Sequence, residues 1–260
     1  GHSLINGGDA GVDNDMATLI IAVNEPTTIP GSSLHLDALD EQLLAGQMHT
    51  LSMEIYDENG VNSIDLVTVN LLGMDEDIIG VMTWEPRNGA MYTPDGSQLT
   101  FHDIIVTDMG AYSSVEWEFT LDWTFDESVI PEYAMPGIVV YDDDDMNPVA
   151  LLTNLGEIRW QLDNDLEVLV DNMEDTTPPL SSGSADHIYV QPGDDLTFTG
   201  VVVYNKSGAQ LMSLPEQGLE VNVATTYGTE SLVSYAEVAA DGSWTTGMIL
   251  PSRSLIDSIL

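Results

Sequence analysis

Val115-Glu116-Trp117-Glu118-Phe119-Thr120-Leu121-Asp122-Trp123-Thr124-Phe125 is apolar at every odd position and polar at every even one. Successive side chains of a strand point to opposite faces, so this stretch places Trp117, Phe119, Leu121, Trp123 and Phe125 on one buried face; a helix would scatter them around its circumference. Shorter versions of the pattern recur at Leu51-Ser52-Met53-Glu54-Ile55, over 64–71, over 99–106 and over 158–170. Turn formers such as Glu58-Asn59-Gly60 and Pro94-Asp95-Gly96 separate them. Short alternating strands with regular punctuation predict a sandwich of sheets. Only 33–44 reads differently: Leu36, Leu39, Leu43 and Leu44 lie about one helical turn apart, with Gly46 beyond, which predicts a short helix.

The chain has 260 residues, enough for two sandwiches each with its own core. At 43% hydrophobic residues it does not have the composition of a disordered chain. Four Lys and Arg stand against 44 Asp and Glu, a formal net charge of -40. Such a surface repels phosphate backbones and anionic lipids, which excludes nucleic acid as a partner. It also repels itself, so the compact state calls for salt or for divalent cations that neutralise charge locally. No apolar run reaches the roughly 20 residues that span a bilayer, so no direct membrane insertion is expected. There is no Cys, hence no disulfide and no thiolate chemistry. Asn205-Lys206-Ser207 fits a glycosylation acceptor and reads equally as a polar turn.

The run Asp175-Thr176-Thr177-Pro178-Pro179-Leu180-Ser181-Ser182-Gly183-Ser184 loses all apolar period before patterning restarts at His187-Ile188-Tyr189-Val190. It predicts a linker over 176–185, a first domain over 1–175 with an N-terminal extension, and a second over 186–260. The halves echo one another weakly: Gly46 through Tyr56 to Gly60, and Gly193 through Tyr204 to Gly208, each run glycine, strand, tyrosine, turn, glycine.

Residues 184–251 resemble the immunoglobulin-like modules repeated in large bacterial and archaeal surface proteins. The resemblance is carried by Val190-Gln191-Pro192-Gly193-Asp194-Asp195-Leu196-Thr197-Phe198-Thr199-Gly200-Val201-Val202-Val203 and by Ala240-Asp241-Gly242-Ser243-Trp244 with Ile249-Leu250-Pro251. Ile55-Tyr56-Asp57-Glu58-Asn59-Gly60-Val61 is similar to modules of marine or salt-adapted archaea, where acidity is usual. The resemblance implies an all-β chain of two tandem immunoglobulin-like β-sandwich domains, extracellular or at the cell surface. A complete domain of that type has about seven strands. Little alternation follows Pro251, so the second domain is expected to lack its last strand, through truncation or through completion by a neighbouring subunit.

Among 44 carboxylates, two near each other say nothing about acid–base catalysis. His2, His35, His49, His102 and His187 occur singly, and nucleophile, phosphate-loop and dinucleotide motifs are missing, so no enzyme is expected. Calcium is the stronger candidate, because hard oxygen ligands on loops suit it. Asp142-Asp143-Asp144-Asp145 and Asp163-Asn164-Asp165 are the predicted metal sites, with Asp57-Glu58-Asn59 and the Asp171/Asp175 pair behind them; each also reads as a solvated acidic turn. Trp84 and Trp160, in more polar surroundings than Trp117 and Trp123, raise an alternative, a carbohydrate-binding accessory region of a secreted hydrolase. The main expectation is a non-catalytic structural or adhesive module, a repeat-array or filament segment rigidified by calcium. Its partners would be neighbouring immunoglobulin-like modules or subunits and surface glycans.

Overall fold

The computed structural model describes residues 26–39, 41–72, 78–125, 135–142, 150–152, 160–177, 190–227 and 230–251. Their regular secondary structure is all β apart from single 3-10 turns at Gly31–Ser33 and Val61–Ser63. None of their helical segments is long and apolar enough to cross a membrane. The first eight strands are β1 (His35–Leu36), β2 (Gln42–Leu44), β3 (Met48–Ile55), β4 (Ile64–Leu72), β5 (Ile78–Glu85), β6 (Ala90–Tyr92), β7 (Leu99–Asp108) and β8 (Ser113–Leu121). Then come β9 (Met135–Asp142), β10 (Ala150–Leu152), β11 (Gln161–Asp163), β12 (Leu166–Asp175), β13 (Asp195–Tyr204), β14 (Glu220–Tyr227), β15 (Glu230–Glu237) and β16 (Ser243–Ile249).

The first body layers a four-stranded sheet, β1-β3-β8-β7, on a five-stranded one, β10-β9-β4-β5-β6. The stretch that opens the sequence reading becomes β8, buried at every second residue from Ser113 to Leu121 as its alternation predicts. Its Trp117 lies opposite Leu51 of β3 and Ile104 of β7, so three strands contribute to one patch of core. The facing sheet supplies Val67, Val69, Met82, Trp84, Ile138 and Val140 to the same cluster. After Leu121 the chain leaves the strand: Phe125 still reaches this core, whereas Trp123 packs against both cores of the molecule.

The helix predicted over 33–44 does not form. Leu36 pairs with Leu51 across two strands, Leu39 is exposed, and Leu43 and Leu44 lie in β2, which runs parallel to β11. The leucines recur at helical spacing because the segment crosses the end of the sandwich and drops side chains into it from two short strands. His49 holds this corner. Its Nε2 lies 2.9 Å from the Leu44 amide and 3.0 Å from the Leu44 carbonyl, and its Nδ1 lies 3.2 Å from the Asp37 carbonyl. Burial lowers the His49 pKa below 6.5, against the Leu44 and Asp37 carbonyls and the Asp37 carboxylate, which favour the charged ring. The folded state therefore binds this proton less readily than the unfolded chain, and stability drains as pH falls below about 6.5 toward the lowered value. Thermal midpoints between pH 7.5 and 5.5 should fall more for the wild type than for His49→Gln; parallel curves would remove His49 from the acid response.

The second body pairs β12-β13-β16 antiparallel, with the hairpin β14-β15 across a separate core of Leu196, Phe198, Val202, Tyr204, Leu211, Val221, Ala236 and Trp244. β12, placed in the first domain by the sequence, is paired from Leu166 opposite Tyr204 to Asp175 opposite Leu196. The run predicted as a linker thus connects two neighbouring strands of one sheet. Thr176 donates its amide to the Asp195 carbonyl, and Thr177 Oγ1 accepts the Asp195 amide at 2.6 Å. Positions 178–185 of that linker lie outside the described residues. Asn164 and Asp165 join β11, paired with β2, to β12, paired with β13. At the other end, Ile29 and Leu34 are buried in the first core, so residues 26–39 belong to that body.

Candidate functional site

The most organised polar group among the described residues sits where the two bodies meet. Asp163, at the end of β11, is fully buried. Its carboxylate accepts the backbone amides of Lys206, at 3.1 Å, and Ser207, at 2.8 Å, from the turn after β13. The chain's one lysine, Lys206, donates its Nζ to the Leu162 carbonyl at 2.7 Å, and burial lowers its pKa. The Asn205 amide donates to the Asp165 carbonyl at 2.9 Å. A buried carboxylate is stable only when its lone pairs are met, and here two amides of the neighbouring body meet them.

Beside this clasp, Tyr204 passes from the second core into the first body and donates its hydroxyl to the Ala45 carbonyl at 2.5 Å. Burial pushes the Tyr204 hydroxyl pKa up to about 12. Its ring stacks on Trp123 at 5.7 Å with the planes 3° apart. The indole in turn occupies the space over Gly46: a Cβ built there would lie 2.5 Å from Trp123 Nε1, and the Gly46 φ of +75° independently favours glycine. Leu44 of the first body completes the second core. Sequence reasoning missed this joint, although two signals pointed to it: an aromatic continuing the β8 alternation past the end of the strand, and a lone lysine in a chain of 44 acids.

The predicted calcium ligands do not converge among the described residues. Asp142 ends β9 opposite Ile64, and Asp143, Asp144 and Asp145 lie outside the described residues. Asp163 is not the exposed turn residue expected of it, because its position between the bodies turns it toward amides. Asp165 is exposed. In the third acidic turn, Asp57 accepts hydrogen bonds from Thr27 Oγ1 at 2.6 Å, Ser63 Oγ at 2.8 Å and the Asn59 amide at 2.9 Å, the behaviour of a carboxylate that organises its own loop. Asp175 likewise accepts the Thr177 amide, while Asp171 is exposed. No group of three metal-ligating side chains gathers among the described residues.

The aromatic platform fails on burial. Trp160 is fully buried, and Trp84 is buried edge-on against Trp117 at 6.1 Å, so neither presents a face to a sugar. No protein-family model matches the chain, and no curated protein matches it. The acceptor triplet Asn205-Lys206-Ser207 falls in the turn of the joint, with Asn205 exposed.

Proposed function

We propose that this chain is a non-catalytic structural segment of an extracellular surface protein, two immunoglobulin-like sandwiches locked end to end into one rigid spacer. The buried clasp of Asp163 with the Lys206 and Ser207 amides carries the reading. A flexible linker would leave such groups in water, whereas here a carboxylate, a lysine head and a tyrosine hydroxyl are all spent on holding one body to the next. Two further features support it. The absence of cysteine makes stability rest on two cores, and the extreme acidity suits an exterior rich in salt or divalent cations.

Calcium has a narrower place than the sequence suggests. At Asp142–Asp145 it would neutralise a self-repelling loop, while the angle between bodies is set by protein groups. Adhesion to neighbouring modules or surface glycans belongs to the same proposal, without the buried Trp84 and Trp160 as its means. Asp163→Ala tests the spacer directly. It orphans two amides at a cost of about 1–3 kcal/mol, all of it at the joint. Small-angle scattering should then show a broadened, shorter distribution of distances while both cores stay folded by circular dichroism; an unchanged profile would mean that the clasp does not set the shape.

A further inference from the structure

Among the described residues, the second body has a sheet face with nothing over it. Residues opposed across antiparallel strands share a face, so Val168 and Val170 of β12 point to the same side as their partners Val202 and Gly200 of β13. Val202 is 2% exposed, yet Val168 is 46% and Val170 41% exposed. The hairpin β14-β15 covers only the other part of that face: Ser234 Oγ of β15 bonds Thr246 Oγ1 of β16 at 2.6 Å. Between β12 and β14 runs an open slot of about 350 Å³, walled by Met173, Val190, Leu196, Phe198, Val223 and Leu250. On its slot side β14 pairs with no strand among the described residues, and Val223 to Thr226 of that free edge line the trench. An unpaired edge beside an uncovered core face has the form of a sandwich short of a strand.

The chain carries a segment suited to that place. Met16-Ala17-Thr18-Leu19-Ile20-Ile21-Ala22-Val23 holds no charge in a protein with 44 acids, is rich in β-branched residues, and puts Leu19, Ile21 and Val23 at period two. It cannot reach the slot of its own chain. Thr28 is bonded to Tyr56 just past the far end of β3, a strand that leaves the joint at Met48 and rises about 26 Å over its length. The slot lies at the far end of the other body, near Leu196, a further run of about 26 Å from Tyr204 at the joint. Among the described residues no strand of one body packs extensively along a strand of the other, so the bodies do not fold back side by side. The chain from Val23 to Thr28 spans at most about 18 Å.

We propose that residues 16–23 of one copy add as a strand to the free edge of β14 in the next copy, filling the slot and covering Val168 and Val170. The contact is head to tail: donor segment and acceptor edge sit at opposite ends of the spacer, so it repeats from copy to copy instead of closing a two-fold dimer. Backbone pairing supplies affinity independent of sequence, and alternate apolar side chains entering the slot supply register. The donor segment is neutral, so the mutual repulsion of chains at -40 is the main opposition, and assembly needs molar salt or divalent cations to screen it. The inference extends the structural reading above without being required by it.

The chain contains no cysteine, which makes cross-linking unambiguous. Full-length Ile21→Cys, carrying a size tag, is mixed in molar salt with untagged Thr225→Cys, and with Thr226→Cys as a second acceptor. Mixed disulfide should form at least tenfold faster than with Thr107→Cys on the opposite body, and Leu19→Asp in the donor should abolish the advantage. Rates equal to the control overturn the proposal. So does a disulfide closed within one dilute chain carrying both Ile21→Cys and Thr225→Cys, or one closed between Ile256→Cys and Thr225→Cys, since either would mean that the chain fills its own slot. Failure here with a stiff joint leaves the spacer reading standing; a loose joint with efficient cross-linking does the reverse.

Discussion

Trp117→Ala is expected to cost the first body about 3–5 kcal/mol, the range for truncating a large buried aromatic. Trp117 is fully buried on β8, with Phe101 stacked on it at 5.2 Å and 9° and Trp84 meeting it edge-on at 6.1 Å. Truncation removes the indole and strands both partners, whose ring contacts each add about 0.5–1.5 kcal/mol beyond the area they bury. Against a domain stability of about 5–15 kcal/mol, the first body should be close to unfolded at low salt, where self-repulsion is strongest. Trp117→Phe should recover much of the loss, because it keeps the stacking and removes an indole N–H that has no partner among the described residues. Denaturant titration followed by tryptophan fluorescence reads both; a loss under 1 kcal/mol for Trp117→Ala would mean that the two sheets are not packed through this residue.

Gly200→Ala should do comparable damage to the second body by the opposite route. A Cβ at Gly200 would lie 2.0 Å from the Leu169 carbonyl oxygen and 2.6 Å from Trp244 Cζ2. Trp244, opposed to Gly200 across the β13-β16 pair, lays its indole over the glycine, and the register shift between Val170 and Asn172 brings the β12 backbone close on the other side. One contact is with backbone and cannot rotate away, so the strands must part. Overpacking of this kind costs about 3 kcal/mol. The transition of the second body should move while that of the first stays, the mirror image of Trp117→Ala. If both moved together, the two bodies would unfold as one unit, and the joint would be stronger than a buried clasp alone explains.

β8 and the strands beside it were legible because one face of each meets a core and the other meets water, a contrast that survives in a single sequence as alternation. The segment around Leu36, Leu39, Leu43 and Leu44 was misread because short strands at the end of a sandwich have no room to show a period. β12 was seen as a strand, but its body was assigned from the proline run that follows, and strand pairing is not a local property. The joint was hidden for the same reason. Ala45, Trp123, Asp163 and Tyr204 meet only after folding, and in a chain with 44 acids nothing marks a carboxylate that will be buried. Trp84 and Trp160 show the converse: polar sequence neighbours suggested exposure, although alternate residues of one strand can differ completely in burial.

The most direct measurement is the distance between spin labels on the two bodies, introduced as Thr107→Cys on β7 and Thr245→Cys on β16, both exposed and in a chain without native cysteine. A rigid spacer held by its own groups predicts one narrow distribution, unchanged between calcium and chelator and between low and high salt. A broad distribution, or one that narrows only when calcium is added, would contradict the account and return the stiffening role to the acidic loops.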